Sequence, residues 1–436
     1  MLLSREHEQF CRIMASGDDK HIQDLKNRFR SFGFCYQDDA LPINPLIFDA
    51  TAAREAEEDI RKLIGVAREI AMQDLEDIGN LRSDQRPIVL ECLKKTEFAP
   101  VIARPDAVLV NGELKILELN IDSGVGGVQE ISEIQAHIKT SQAARALEIY
   151  DPIQGQIELI RNTALSVVKH GGPPRVSIVI YKHFPEYFVN QSKILAARIS
   201  EGGEVLANVN FPEELSVSEF VTDGETEYDL IYRDGSAQYE DEKFSEMGRL
   251  LLGAVRSKTV ILADPRDMAV EDKGTLALLS EKADDGTLPD RICRLVHKYV
   301  PWTRSVATIA KRETRAVENL TLGKDGLVLK RKFSDKGRHV VVGLAKNEAE
   351  WADAVAEALS QPTGWVVQKY LKPDAVRFAF EYEGKIRQEY REITVGPYVF
   401  GANAQSWLVR IQRGENTRVL ARLLSGGYGM TGVAYK

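Results

Sequence analysis

The chain has 436 residues, which is room for two or three domains of ordinary size rather than one core. Hydrophobic residues make up 44% and charged residues 28%, a soluble globular composition, and no apolar run approaches the roughly 20 residues of a membrane span. The net charge of −8 without a basic stripe argues against nucleic acid as a partner, so an anionic nucleotide would need a local basic pocket.

The first ten residues, MLLSREHEQF, meet charge after four positions, which leaves no apolar core for a signal peptide. Four cysteines (Cys11, Cys35, Cys92, Cys293) lie far apart without a CxxC pair, as expected for reduced thiols of a cytoplasmic protein. Residues 1–95 read as a helical N-terminal region. Leu25, Phe29 and Phe32 follow helical spacing, and 53–77 is a long Glu/Arg/Ala/Ile segment interrupted only at Gly65.

Within 96–150 the pattern turns strand-like: AVLV, then LKILELN, joined across Asn111-Gly112, with a helix expected over 132–149. His170-Gly-Gly-Pro-Pro174 breaks the chain. Over 172–262, VSIVIY (176–181), a helix containing 193–199, VLANVN (205–210) and DLIYRDG (229–235) predict a small parallel βαβ layer. The third region, 263–436, opens with a helix over 272–281. LVLKRKF (327–333) and HVVVG (339–343) are short strands around a polar loop, WVVQKYL (365–371) is another strand, and RFAFEYEGKIR (377–387) is a hairpin. Asn347-Glu-Ala-Glu350 is a capping box opening a helix whose Trp351, Val355 and Leu359 share a face.

Five stretches carry chemistry. On ILELN, Glu118 and Asn120 point to one face, and a carboxylate beside an amide carbonyl offers a hard divalent cation oxygen ligands. Asp106 joins them only if the register allows. A two-residue Asn-Gly turn would place it on the opposite face, whereas a three-residue connection at 110–112 brings Arg104, Asp106, Glu118 and Asn120 together. The odd-length connection is the expectation, and a tight turn without a compensating bulge would remove Asp106 from the set. Taken alone, this ExN pair also fits the solvent face of a hairpin.

Lys330 and Lys332 share a face beside Ser334-Asp-Lys-Gly-Arg338, as in a hairpin lid over phosphates, although basic hairpins are also ordinary surfaces. The strand end at 368–371 could meet an adenine edge or be an exposed end of a core strand. Arg233, at the end of a parallel strand, could grip a carboxylate or pair with Asp234 or Asp241. The run Arg418 … Ser425-Gly-Gly-Tyr-Gly-Met-Thr-Gly432 reads as a closing loop or as a tail.

Together these stretches resemble the ATP-grasp superfamily. Arg104-Pro-Asp106 … Glu118-Leu-Asn120 is similar to its Mg-binding strand pair, VLKRK … VVVG to its phosphate-covering hairpin, and VVQKYL to its adenine hinge. The Mg strands precede the lysine strand, the order of the circularly permuted branch resembling eukaryotic-type glutathione synthetase and glutathionylspermidine synthetase. ELNIDSGVGG, YRDGSAQY, Asp272-Lys273-Gly and GGYGMTGVA resemble further segments of that branch. The implied fold is α/β: an ATP-grasp core, a small parallel substrate layer and a helical N-terminal region.

The implied cofactors are ATP and Mg2+, with Asp106, Glu118 and Asn120 as metal ligands. Lys273, Lys330 and Lys332 would contact phosphates, and Gln368, Lys369, Tyr370 and Leu371 would line the adenine pocket. Arg104 would stabilise an oxyanion, and Ser123, Arg233 and Arg418 would hold substrate carboxylates. The implied reaction joins a small-molecule carboxylate to an amine through an acyl phosphate, and a homodimer would fit the family. A phosphotransferase and a non-catalytic nucleotide-binding regulator are the alternatives. Departures are Asp335 in place of a glutamate of the glycine-rich loop, Gln368 in place of the hinge glutamate, Leu420 near the position of the lid lysine, and Val125 in place of a second substrate serine.

Overall fold

The computed structural model describes residues 1–15, 23–24, 27, 41–73, 81, 85–94, 98–121, 124–168, 171–234, 241–312, 316–332, 339–382, 385–412 and 429–436. Its largest sheet runs, among the described residues, in the order Leu41–Pro42, Ala375–Tyr382, Lys385–Phe400, Asn403–Ile411, Gly429–Tyr435, Leu46–Phe48. The short strand Ile102–Ala103 and the hairpin of Asp106–Val110 with Glu113–Glu118 attach to Lys385–Phe400.

One face of this sheet is covered by the helix Ala50–Gln73. Its Ala53, Ile60, Leu63, Ile64, Ala67 and Ile70 repeat at helical spacing and pack with Phe378, Trp407 and Val409. Gly65 sits within that helix on its exposed side, where nothing packs against it. The other face is covered by Val128–Lys139 and Pro152–Val167, which pack on Tyr398, Phe400 and Leu408. The result is helix on sheet on helix.

A buried carboxyl ties the first helix to the sheet. Glu57 Oε1 accepts from Trp407 Nε1 at 2.6 Å and from Tyr435 Oη at 2.8 Å. Burial raises its pKa to about 7, against the lowering effect of those two donors. Because the folded value lies above the unfolded value of 4.5, this group favours the fold fully below pH 4.5, and that contribution is lost as pH rises to about 7. Glu57→Gln is expected to flatten the fall in unfolding free energy between those pH values, which for this group is on the order of 3 kcal/mol. Urea unfolding at several pH values measures it, and an unchanged slope would refute the assignment.

The region 1–95, expected to be mostly helical, also contributes two short strands. Leu46–Phe48 adds parallel to Gly429–Tyr435 with Leu46 opposite Val433, and Leu41–Pro42 pairs with Ala375–Tyr382. Three apolar residues between Pro45 and Asp49 show no period, so only the distant partner strand makes them a strand. Leu25, Phe29 and Phe32 lie outside the described residues. The helix expected over 132–149 begins at Val128 and ends at Lys139, where Thr140 Oγ1 donates back to His137 O at 2.7 Å. Ser141 then caps a separate 3-10 turn, Gln142–Ala146.

The small layer is a four-stranded parallel sheet ordered Val260–Leu262, Leu230–Arg233, Arg175–Val179, Leu206–Asn210. The third region forms an antiparallel sheet of Thr303–Ser305, Trp365–Lys369, Leu327–Arg331 and Val340–Val342. The helix Glu348–Ser360 covers it. The capping box is present in both directions: Asn347 Oδ1 accepts from Glu350 N at 2.9 Å, and Asn347 N donates to Glu350 Oε2 at 3.0 Å. Trp351 and Val355 are buried, and Leu359 packs against the same cluster.

Candidate active site

The hairpin 106–118 turns through two residues, not three. Asn111 and Gly112 have φ of 52° and 75°, and Val110 lies opposite Glu113. The odd-length connection is therefore corrected. Two left-handed residues match the twist of the flanking strands, and the Asn-Gly pair tolerates them. A bulge then restores what the turn removes: Ala107 opposes Ile116, but Asp106 opposes Glu118, so Leu117 is the extra residue.

Beyond the bulge the four residues converge. Asn120 Nδ2 donates to Arg104 O at 3.1 Å, Arg104 N donates to Asn120 O at 2.8 Å, and Arg104 Nη2 lies 3.6 Å from Asp106 Oδ1. Burial pushes the Asp106 carboxyl up, but Arg410 and Arg104, with hydrogen bonds from Arg410 and Asn120, hold it below the usual carboxylate range. Arg410 Nη2 approaches Asp106 Oδ2 at 2.5 Å, while Asp106 Oδ1 is buried with no hydrogen-bond partner.

One glycine makes room for Arg104 and another supplies it with an acceptor. A Cβ on Gly396 would stand 2.9 Å from Arg104 Cγ, and Gly126 O accepts from Arg104 Nη1 at 2.5 Å.

The lysines come from two separate elements. Lys273 precedes the helix Gly274–Asp284, and its Nζ pairs with Glu118 Oε1 at 2.7 Å. Lys330, on Leu327–Arg331, donates through Nζ to Gln368 Oε1 at 2.7 Å and to the carbonyl of the bulged Leu117 at 3.1 Å. Burial lowers its pKa to about 8, a shift that Glu118 opposes and Lys273 deepens. Lys332 is buried beside Gly274, where a Cβ would stand 3.1 Å from its Cε. Burial raises neighbouring Asp272 to about 6, against the charges of Lys332 and Lys273 and the hydrogen bond from Gly274 N. The site is thus a set of buried charges of both signs with oxygen atoms to spare.

The strand end at 368–371 is placed next to this set but is partly committed. Gln368 is 2% exposed and holds Lys330 on one side and Thr303 Oγ1 on the other, 3.1 Å from its Nε2. The N–H groups of Lys369 and Tyr370 donate to Trp302 O and Gly326 O. Gln368 therefore orients a lysine, which its place in a hydrophobic strand did not suggest. Arg233 is fully buried at the C-terminal end of its strand in the parallel sheet. Ser123, Asp335, Arg418 and Leu420 lie outside the described residues, as does the start of the glycine-rich run.

Arg410 was missed. The signal was an arginine on the strand Asn403–Ile411 whose neighbours Leu408, Val409 and Ile411 are all buried. A charge in such a run needs a buried partner, here Asp106.

No protein-family model and no curated protein matches the sequence. Its fold superposes on solved structures at low sequence identity. The glutathione synthetase-like effector GSS30 from Globodera pallida, in apo form, superposes with a TM-score of 0.62 at 11% identity, covering 99% of this chain and 96% of that one. A putative gamma-glutamylcysteine synthetase from Methylobacillus flagellatus gives 0.42 at 9% identity over 83% and 84% of the two chains. D-alanyl-alanine synthetase A from Vibrio cholerae gives 0.33 at 10% identity over 60% and 74%. The chain has an α/β fold of the ATP-grasp type. Among these neighbours it is similar over its whole length to the glutathione synthetase-like effector, on which the fold assignment rests.

Proposed function

We propose that the protein is an ATP-dependent, ADP-forming ligase that joins a carboxylate to an amine. The observation that carries the proposal is the convergence of Asp106, Glu118, Asn120, Lys273 and Lys330 beside Arg104, drawn from three separate parts of the chain. The motif order, with the metal strands ahead of the lysine strand, suits the permuted branch.

Two carboxylates and an amide carbonyl are the hard oxygen set that Mg2+ takes, and Asp106 Oδ1, buried without a hydrogen bond, fits that use. Asp106, Glu118 and Asn120 would hold the ion, which when bound neutralises phosphate charge. Lys273 and Lys330 add fixed positive charge along the same path, and Gln368 keeps Lys330 from swinging away. Substrate carboxylate oxygen would attack the γ-phosphoryl group with loss of ADP; the amine would then displace phosphate and shed a proton. Arg104 is placed to stabilise the oxyanion of that second step.

The test is ADP release from ATP across a panel of carboxylic acids and amines, with products identified by mass. Release that requires both partners and yields an amide is expected. ATP turnover with no ligated product would overturn the proposal, and phosphate retained on the product would assign a phosphotransferase instead.

A further inference from the structure

We propose that Lys273 competes with a divalent cation for Glu118 and that nucleotide phosphates draw the lysine off it, so that the site takes nucleotide before metal. The proposal rests on reading Glu118 as a metal ligand and Lys273 as a phosphate contact. It does not rest on the reaction that follows.

Lys273 Nζ stands 2.7 Å from Glu118 Oε1, with the lysine side chain 5% and the carboxylate 29% exposed. A hard cation takes such an oxygen at about 2.0–2.1 Å. An ammonium and a dication on one carboxylate repel each other strongly where water is scarce. The carboxylate satisfies one of them at a time.

The surrounding charges tilt this competition against a free metal ion. Arg410 approaches Asp106 Oδ2, and Arg104 lies 3.6 Å from Asp106 Oδ1. Both candidate metal carboxylates therefore carry cations from the chain itself. Buried Lys330 adds its charge beside them, attracted by Glu118 and repelled by Lys273. A free divalent ion would have to displace one of these cations unaided. A polyphosphate changes the balance, because it offers Lys273 anionic oxygens in exchange for Glu118 and brings metal-binding oxygens of its own. Mg2+ is ordinarily held by one or two carboxylates together with substrate phosphates, rather than by an all-protein cage.

The cations differ in what holds them. Lys330 Nζ is fixed by Gln368 Oε1 at 2.7 Å and Leu117 O at 3.1 Å, neither of which is a proposed metal ligand. Arg104 Nη1 is bound to Gly126 O. Lys273 instead places its ammonium on the proposed ligand itself. Its backbone is anchored where the helix Gly274–Asp284 begins, its N–H donating to Lys332 O at 3.3 Å. The flexible four-carbon stem can carry a compact ammonium from carboxylate to phosphate by rotamer change, with the backbone in place. Lys273 is thus the exchangeable cation.

The experiment measures binding to the full chain rather than turnover. Mn2+, a hard divalent probe, is followed by electron paramagnetic resonance, and ADP by calorimetry in EDTA. The unsubstituted protein is expected to bind ADP without metal. Lys273→Met should bind Mn2+ alone at least about tenfold more tightly than the unsubstituted protein, and ADP at least about tenfold more weakly. Opposite shifts from one substitution are not what a loss of structure produces. Combining Lys273→Met with Glu118→Gln should abolish the gain in Mn2+ affinity, and Lys273→Gln gives the second reading should Lys273→Met fail to fold. Unchanged Mn2+ affinity in the lysine variants, a gain that survives Glu118→Gln, or ADP binding that requires metal would overturn the proposal. Any of these with amide formation intact would remove the competition and leave the ligase. The expected binding pattern without a ligated product would do the reverse.

Discussion

Arg104→Ala is expected to lower the rate of amine-dependent ADP release by roughly 10²–10³-fold at saturating substrates, with nucleotide affinity nearly unchanged. The guanidinium is held from below by Gly126 O and lies beside Asp106, and Gly396 leaves the space its stem occupies. Its Nε is buried without a partner, so one donor remains for a group that the bound state brings. A donor used only as charge develops affects kcat rather than the binding of ATP. Arg104→Lys should recover little, since an ammonium cannot span Gly126 O and a second acceptor as a planar fork does. Steady-state rates and a fluorescence titration of nucleotide separate the two effects. An unchanged kcat would remove Arg104 from the reaction, and a parallel loss of nucleotide affinity would make it a structural residue.

What the sequence made legible was local. The Asn-Gly dipeptide announced a hairpin, and Asn347 with Glu350 announced a helix start that the structure reproduces. The parallel layer also followed from three apolar runs separated by helical spacing. What escaped was register and distant partnership. The bulge at Leu117 leaves no mark in composition, yet it decides whether Asp106 faces Glu118. Gln368 looked like the edge of an adenine pocket because its strand was read singly; paired with Leu327–Arg331, it becomes the acceptor that fixes Lys330. Arg410 is distant in sequence from Asp106, the residue it pairs with, and no spacing rule joins them.

The approach to Arg104 is anchored in the same way, by partners far apart in the chain, and a second expected result follows. Arg68, on the helix Ala50–Gln73, grips Asp267 through two nitrogens, with Nε 2.8 Å from Oδ1, and both side chains are buried. Arg68 Nη1 also donates to Ala99 O at 3.0 Å, and Asp264 Oδ2 accepts from Ala99 N at 3.0 Å. The Phe98 ring lies against the guanidiniums of both Arg68 and Arg266. This network pins the segment that leads into Arg104 to the turn that leads into Lys273, so stability and site geometry share one anchor. Asp267→Ala should cost about 3–5 kcal/mol, because it leaves the Arg68 charge buried without its counter-ion. Arg68→Met combined with Asp267→Leu should recover most of that loss, since a buried pair replaced by apolar groups strands no charge. Urea midpoints at constant m-value measure both. A double variant as unstable as the sum of its singles would show that shape, rather than the stranded charge, sets the cost.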